Sequence, residues 1–202
     1  MTITFPRPFP TAIRGFEEWE PMDRDAIATT RSPFTFARRS YDWLGSAIIV
    51  RAIVVLDADD EAPAFNAFID SLKGTYQEFE FGPPFPLRGA GGGTPLVNGA
   101  NQNGQSLITD GWPNSTLVLK ARDPIAVEAN LYFMLQDVTT DGSGNATLDM
   151  WPALRSSPAD NAPITTVNPK GIFTFMERPT VPRNVTPYVR VPFMATDNGG
   201  QG

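Results

Sequence analysis

The stretch Ala47–Gly74, AIIVRAIVVLDADDEAPAFNAFIDSLKG, joins a long aliphatic run to an amphipathic one. Its first ten residues are rich in Ile and Val and carry a single charge, that of Arg51. A run this short and this rich in β-branched residues predicts a β-strand that is covered on both faces.

The second half of the stretch predicts a helix near residues 60–73. Its large apolar residues recur at intervals of three and four, which places them on one stripe of a helix: Phe65, Phe68, Ile69 and Leu72. The preceding aspartates are candidate N-caps, and Gly74 can adopt the left-handed conformation that ends many helices. No other segment shows a comparable pattern, so we expect one helix packed on a long strand in a β-rich chain.

Composition limits the chemistry that the chain can perform. Its 202 residues are 41% hydrophobic, enough for a core, and 20 Pro with 17 Gly favour short strands and turns. The absence of Cys and His removes disulfides, thiolate nucleophiles, Cys/His zinc sites and imidazole triads. We therefore expect a protein that is not an enzyme and has no cofactor or metal. The net charge of −6 disfavours general nucleic-acid binding, and no apolar run is long enough to span a membrane.

Proline and glycine clusters divide the chain into predicted domains. Residues 1–87 form the first, a β-sandwich with the helix flanking it. Residues 88–93 form a Gly-rich linker, because the following Thr94–Pro95 cannot open the helix that a phosphate-binding loop requires. Residues 94–179 contain short strands between turn signals, which predicts a second, small antiparallel β-barrel or sandwich. Residues 180–202 are predicted to be an extended Pro-rich arm, since Pro disfavours central strand pairing.

Aromatic and arginine residues in exposed segments are candidates for contacts between subunits. The segment RSPFTFARRSYDWLGS, residues 31–46, predicts an aromatic hairpin whose arginines are either solvated or in contact with another subunit or nucleic acid. Pro-rich segments at both ends of the chain are expected to lie across a neighbour. The predicted interface residues are Phe5, Phe9, Arg38, Arg39, Tyr41, Tyr188, Arg190 and Phe193.

Two further functions are compatible with the residues present. The later β domain could bind host glycan through Trp112, Trp151 or Tyr132. It could also hydrolyse glycan with a carboxylate pair. The candidate carboxylates are Asp110, Asp123, Asp137, Asp141 and Asp149. For the segment DVTTDGSGN, 137–145, an ordinary hairpin turn is favoured over a calcium loop.

Several segments occur in one order over roughly residues 30–155: RSPFTFARRSYDWLGS, the helix ending SLKG, TYQEFEFGPP, and the β-rich segment from GTPLVNGA to DMWPALR. In this order they resemble the distal tail and minor tail proteins of long-tailed (siphovirus-type) bacteriophages and related gene-transfer particles.

The resemblance implies a tail-tube-like first domain and a virion structural protein that joins the tail tube to the tip or baseplate. It further implies a homo-oligomer, a hexameric ring, with tail-tube and tail-hub proteins as partners. DNA would pass through the ring lumen without specific binding. Such a protein is located in the virion tail after assembly in the bacterial cytoplasm, away from membranes. The resemblance transfers no catalytic residue.

Overall fold

The computed structural model describes residues 4–11, 13–182 and 186–197, without the side chains of residues 42–44. This part of the chain is mainly β with one helix, which confirms the predicted fold class. The helix α1 spans Glu61–Ser71. The strands are β1 (Arg7–Pro8), β2 (Gly15–Arg31), β3 (Arg38–Asp57), β4 (Phe79–Phe81), β5 (Leu96–Val97), β6 (Gly104–Asp110), β7 (Leu117–Leu119), β8 (Pro124–Val127), β9 (Asn130–Met134), β10 (Val138–Thr139), β11 (Ala146–Leu154), β12 (Ile164–Thr165), β13 (Gly171–Phe175) and β14 (Tyr188–Asp197).

A six-stranded sheet in the order β1-β4-β13-β14-β3-β2 forms the first body of the fold. Only β1 and β4 run parallel, and the other neighbouring pairs are antiparallel. The sheet is strongly curled, because the ring of Phe9, just after one edge strand, lies 5.9 Å from that of Phe16 in the other edge strand. The curled sheet and α1 share one hydrophobic core.

The helix carries the predicted apolar stripe into this core. Phe65, Phe68, Ile69 and Leu72 are all buried. The end of the helix also follows the prediction, since Gly74 has a φ of 73°. Lys73 before it shares the left-handed conformation, so α1 ends earlier than predicted.

The aliphatic strand is covered less evenly than its sequence predicts. Ile48, Ile49 and Val50 are buried, but from Arg51 onward burial alternates along β3. One face of this part contacts the core, and the other carries Arg51, which forms ion pairs with two glutamates of β2. Among the described residues, no second layer covers this outer face completely.

The predicted C-terminal arm is instead a strand inside the first sheet. β14 lies between β13 and β3 and pairs with β3 from Tyr188 to Thr196. Pro192 is tolerated because β13 pairs with β14 only at residues 195–197, which leaves one side of the backbone near Pro192 without a strand partner.

A six-stranded barrel forms the second body. Its strand order is β12-β8-β9-β11-β6-β5. The barrel closes between its first and last strands, because Val97 N–H donates to the Ala162 carbonyl at 3.0 Å and Ile164 N–H donates to the Pro95 carbonyl at 2.9 Å. The short pair β7–β10 adjoins it, and a separate hydrophobic core fills it.

The barrel is inserted into the first sheet rather than following it. The chain leaves the sheet after β4 and returns in β13, and these two strands are neighbours paired at Phe81 and Gly171. The first body therefore includes the last strands of the chain, whereas the sequence predicted two domains in succession. Strands so far apart in the sequence cannot be assigned to one sheet by local pattern.

The Gly-rich segment packs against the barrel instead of acting as a free linker. Ala90 N–H donates to the Leu117 carbonyl at 3.1 Å, and Gly91 N–H donates to the Val118 carbonyl at 2.9 Å. A Cβ on Gly89 would lie 2.3 Å from the carbonyl oxygen of Val118. Glycine is needed here for close backbone approach, which its sequence context did not distinguish from flexibility.

The two bodies share buried contacts. Phe133 and Trp151 of the barrel belong to the core of the first sheet. Trp151 Nε1–H donates to Asp25 Oδ1 at 3.1 Å, and Arg155 forms a buried ion pair with Asp197 of β14. These contacts fix the barrel against the sheet.

Candidate assembly surface

A two-stranded ribbon, residues 23–47, extends from the first sheet. It consists of the end of β2, the turn at 32–37 and the start of β3. β14 pairs with β3 only from Ile49 onward, so within the described part of the chain the ribbon strands pair only with each other. Residues 23–31 and 38–41 are exposed. Nine residues of β2 correspond to a length of about 30 Å.

The turn of the ribbon presents two aromatic rings to solvent. Phe34 is 92% exposed and Phe36 is 66% exposed. The turn is nevertheless ordered by hydrogen bonds: Ser32 N–H donates to the Ala37 carbonyl at 2.9 Å, and Ser32 Oγ accepts from the backbone N–H of Thr35 at 3.2 Å. Large apolar side chains held in this way on a protruding turn are typical of binding surfaces.

Three arginines lie on the strand ends that flank this turn. Arg31 and Arg38 are directly opposite each other across the two strands, and Arg39 lies opposite Thr30. The Arg31 guanidinium lies 5.4 Å from the centre of the Phe36 ring. None of the three forms an ion pair with a side chain that the structure describes. Like charges directly opposite each other destabilise a strand pair, so an acidic partner would stabilise this turn.

The structure brings only some of the predicted interface residues together. Arg38, Arg39 and Tyr41 lie on the exposed ribbon, where Tyr41 is 61% exposed. Tyr188 and Arg190 lie on β14, far along the sheet from the ribbon turn. Arg190 Nε lies 2.6 Å from Glu17 Oε2, and Arg14 stacks over the Tyr188 ring at 4.2 Å.

The N-terminal and C-terminal phenylalanines have a different role from the predicted one. Phe9 and Phe193 are buried in the core of the chain itself, with ring centroids 6.0 Å apart, so neither ring is available to a neighbour. Phe5 remains partly exposed. The reason is that the segment Arg7–Phe9 and β14 find partners within the same sheet, which places these rings on its inner face.

Phe34, Phe36 and Arg31 are not among the predicted interface residues. The pattern of residues 31–46 predicts an aromatic hairpin but does not show which of its residues form the turn. The signal that could have found them is Ser32-Pro33, because Ser-Pro dipeptides favour the start of a turn.

The aromatic residues proposed for glycan binding are buried. Trp112 is 4% exposed and donates from Nε1 to Thr109 Oγ1 at 2.8 Å, and Trp151 is 7% exposed. Tyr132 is 2% exposed, and burial raises its pKa. None of the three presents a ring face to a sugar, because they fill the cores of the barrel and the first sheet.

The proposed catalytic carboxylates serve local hydrogen bonds. Asp141 Oδ1 accepts the backbone N–H groups of Ser143 and Asn145 at 2.7 and 2.9 Å, which forms the turn that was favoured over a calcium loop. Asp137 accepts from Ala121 N–H, and Asp149 accepts from the side chains of Ser106 and Gln136. Asp110 ends β6.

Asp123 is the most deeply placed of these carboxylates. It is 1% exposed and accepts backbone N–H groups from Lys120 and Gly89, each at 2.9 Å, and from Arg88 at 3.1 Å. Burial by itself raises the pKa of this carboxyl, but the hydrogen bonds from these three residues together hold it below its usual range. Asp123 thus ties the Gly-rich segment to the barrel.

The described residues contain neither a candidate metal centre nor a candidate membrane-spanning helix. Among the described residues there is no group of three or more acidic side chains placed to hold a metal ion. Within the same residues, no helix combines the length and apolar character that crossing a membrane requires. No protein-family model matches the chain, and no curated protein matches it either.

Proposed function

We propose that this chain is a virion structural protein of the tail tip of a long-tailed bacteriophage or related gene-transfer particle. In this proposal it forms a ring, a hexamer, that joins the tail tube to the tip or baseplate, in contact with tail-tube and tail-hub proteins. The observation that carries the proposal is the ribbon, with its exposed aromatic and basic turn.

The ribbon supports assembly because an isolated two-stranded ribbon is at best marginally stable in water. Beyond Asp25, whose side chain accepts a hydrogen bond from Trp151 of the barrel, residues 26–31 are exposed on both faces of the ribbon. β2 is also the edge strand of the sheet and has an open row of backbone groups. A neighbouring subunit would supply the missing contacts.

The position of the ribbon favours a ring or filament over an isolated dimer. A protruding element that inserts into a different surface of the next copy makes a heterologous contact, and repeated heterologous contacts generate rings or helical filaments. The barrel, held against the sheet by buried contacts, would be carried as a rigid second layer.

The test is the oligomeric state of the full chain against a variant with a shortened ribbon. Residues 28–41 are replaced by Asn-Gly, so that Ile27 and Asp42, which are paired in the intact ribbon, flank a two-residue hairpin turn. Val167→Ser, which alters an exposed apolar residue of the inserted region, is the control. Circular dichroism checks the fold of each protein.

Native mass spectrometry and negative-stain imaging should show rings for the intact chain and the control, and a folded monomer for the shortened variant. An intact chain that stays monomeric at every accessible concentration would contradict the proposal. Unchanged assembly of the shortened variant would remove its main support.

A further inference from the structure

A groove lies at the opposite end of β3 from the ribbon turn. It has a volume of about 500 Å³ and runs between the outer face of α1 and the segment before β14. Ala62, Ala67, Val181 and Pro182 are among its apolar lining residues, and its polar lining residues are Asp59, Asn66 and Asp70. Since Ala67 and Pro63 of α1 are exposed, this face of the helix has no cover from the described chain.

The groove lies beside a cluster of acidic residues at the start of α1. Asp57, Asp59, Asp60 and Glu61 fall within five consecutive residues. None of the four forms an ion pair among the described side chains, and Glu61 accepts only backbone N–H groups, those of Arg14 and Asp57. At the other end of the groove Asp70 is already paired with Arg178. The excess negative charge therefore lies at the start of α1.

We propose that the ribbon turn of one copy of this chain docks into this groove on a second copy. The turn carries two exposed aromatic rings that can pack against the apolar residues of the groove. It also carries three arginines that can form ion pairs with the acidic cluster. This inference rests on the proposed function and names the surface that receives the ribbon.

The fold prevents a chain from making this contact with itself. The turn precedes β3 and the groove begins directly after it, at Ala58. The 20 residues of β3 separate them by up to about 60 Å along the strand. Turn and groove are therefore different surfaces at opposite ends, and their contact is heterologous, as a ring requires.

Disulfide cross-linking tests the contact directly, because the chain has no cysteine of its own. Phe34→Cys is placed in one copy and Ala67→Cys in a second, tagged copy, and the two are mixed and oxidised. Disulfides need Cβ atoms about 4 Å apart, so rapid bridging reports proximity. The matched control pairs Phe34→Cys with Val167→Cys, which is 77% exposed in the wild type but lies outside the groove.

We expect the tagged heterodimer of the test pair to form at least roughly tenfold faster than that of the control pair. Charge exchange gives an independent measurement. The double variants Arg38→Glu with Arg39→Glu, and Asp59→Lys with Asp60→Lys, should each weaken assembly at least about tenfold, and mixing the two should restore part of it. Lys170→Glu, an exposed charge reversal outside both the ribbon and the groove, should leave assembly unchanged.

The outcomes separate this inference from the proposed function. Rings that form without cross-linking above the control contradict the docking of turn into groove but leave ring assembly standing. Arginine variants that assemble normally but lose binding to double-stranded DNA assign the turn to nucleic acid and overturn the inference. An intact chain that never assembles overturns both.

Discussion

Asp123→Asn tests whether one buried carboxylate holds the Gly-rich segment onto the barrel. The wild-type side chain accepts backbone N–H groups from both sides of the junction: Lys120 on the barrel side, and Arg88 and Gly89 on the incoming segment. Asparagine has the same shape but only one acceptor oxygen, and its amide group would face N–H donors. The substitution therefore removes acceptors without creating a cavity.

The expected loss in the free energy of unfolding follows from these hydrogen bonds. A hydrogen bond to a charged group contributes about 1.5–3 kcal/mol, and a buried donor left unpaired costs about 1–3 kcal/mol. Asp123→Asn removes the charge and leaves at least one donor without its acceptor. We expect the free energy of unfolding to fall by about 2–4 kcal/mol, below the sum of the separate terms because Arg88 lies near solvent and its N–H can find water.

Urea unfolding followed by far-UV circular dichroism and Trp fluorescence measures the change. Asp137→Asn is the matched control, because Asp137 is exposed and accepts one backbone N–H, that of Ala121, at 2.9 Å. The free energy of unfolding of Asp137→Asn should fall by less than about 1 kcal/mol. Equal losses for the two variants would refute the view that Asp123 organises the junction.

The same substitution has a defined pH dependence. The pKa of Asp123 lies below its ordinary value, so its ionised form stabilises the folded state. That stabilisation is fully present above the unfolded pKa of about 4 and is lost as the pH falls through the folded pKa. The stability difference between wild type and Asp123→Asn should therefore persist at neutral pH and shrink in acid.

Three further predictions follow from other buried groups. Phe68→Ala should lower the free energy of unfolding by about 3–5 kcal/mol, because the Phe68 ring packs against other buried rings, those of Phe9, Phe65 and Phe79. A loss under about 1 kcal/mol in denaturant melts would contradict burial of the helical stripe. Burial raises the pKa of Asp197 in spite of its ion pair with Arg155. The stability of the wild type relative to Asp197→Asn should therefore fall as the pH rises from about 4 through the folded pKa. Thermal melts at several pH values measure this difference, and a difference that grows over that range would contradict the prediction. Truncation after residue 187 removes β14 from within the sheet and should abolish cooperative unfolding, whereas a cooperative transition would mean that β14 is dispensable.

Elements whose signal is local could be predicted from the sequence. The stripe from Phe65 to Leu72 repeats with the helical period, and burial follows that period because one face of α1 meets the core. The turn around Asp141 was recognisable because its carboxylate bonds to residues two and four positions ahead.

Only the tertiary structure decided which strands share a sheet and which aromatic rings face water. β14 pairs with β3, which lies more than a hundred residues earlier in the sequence, and this pairing places Phe193 in the core. The prolines of the same segment predicted an extended arm instead. The ring of Phe34 stays exposed because the ribbon extends beyond the sheet, although its local pattern resembles that of a buried strand. The physical reason is that burial depends on partners brought together by the whole chain, whereas periodicity and turn chemistry report only on near neighbours.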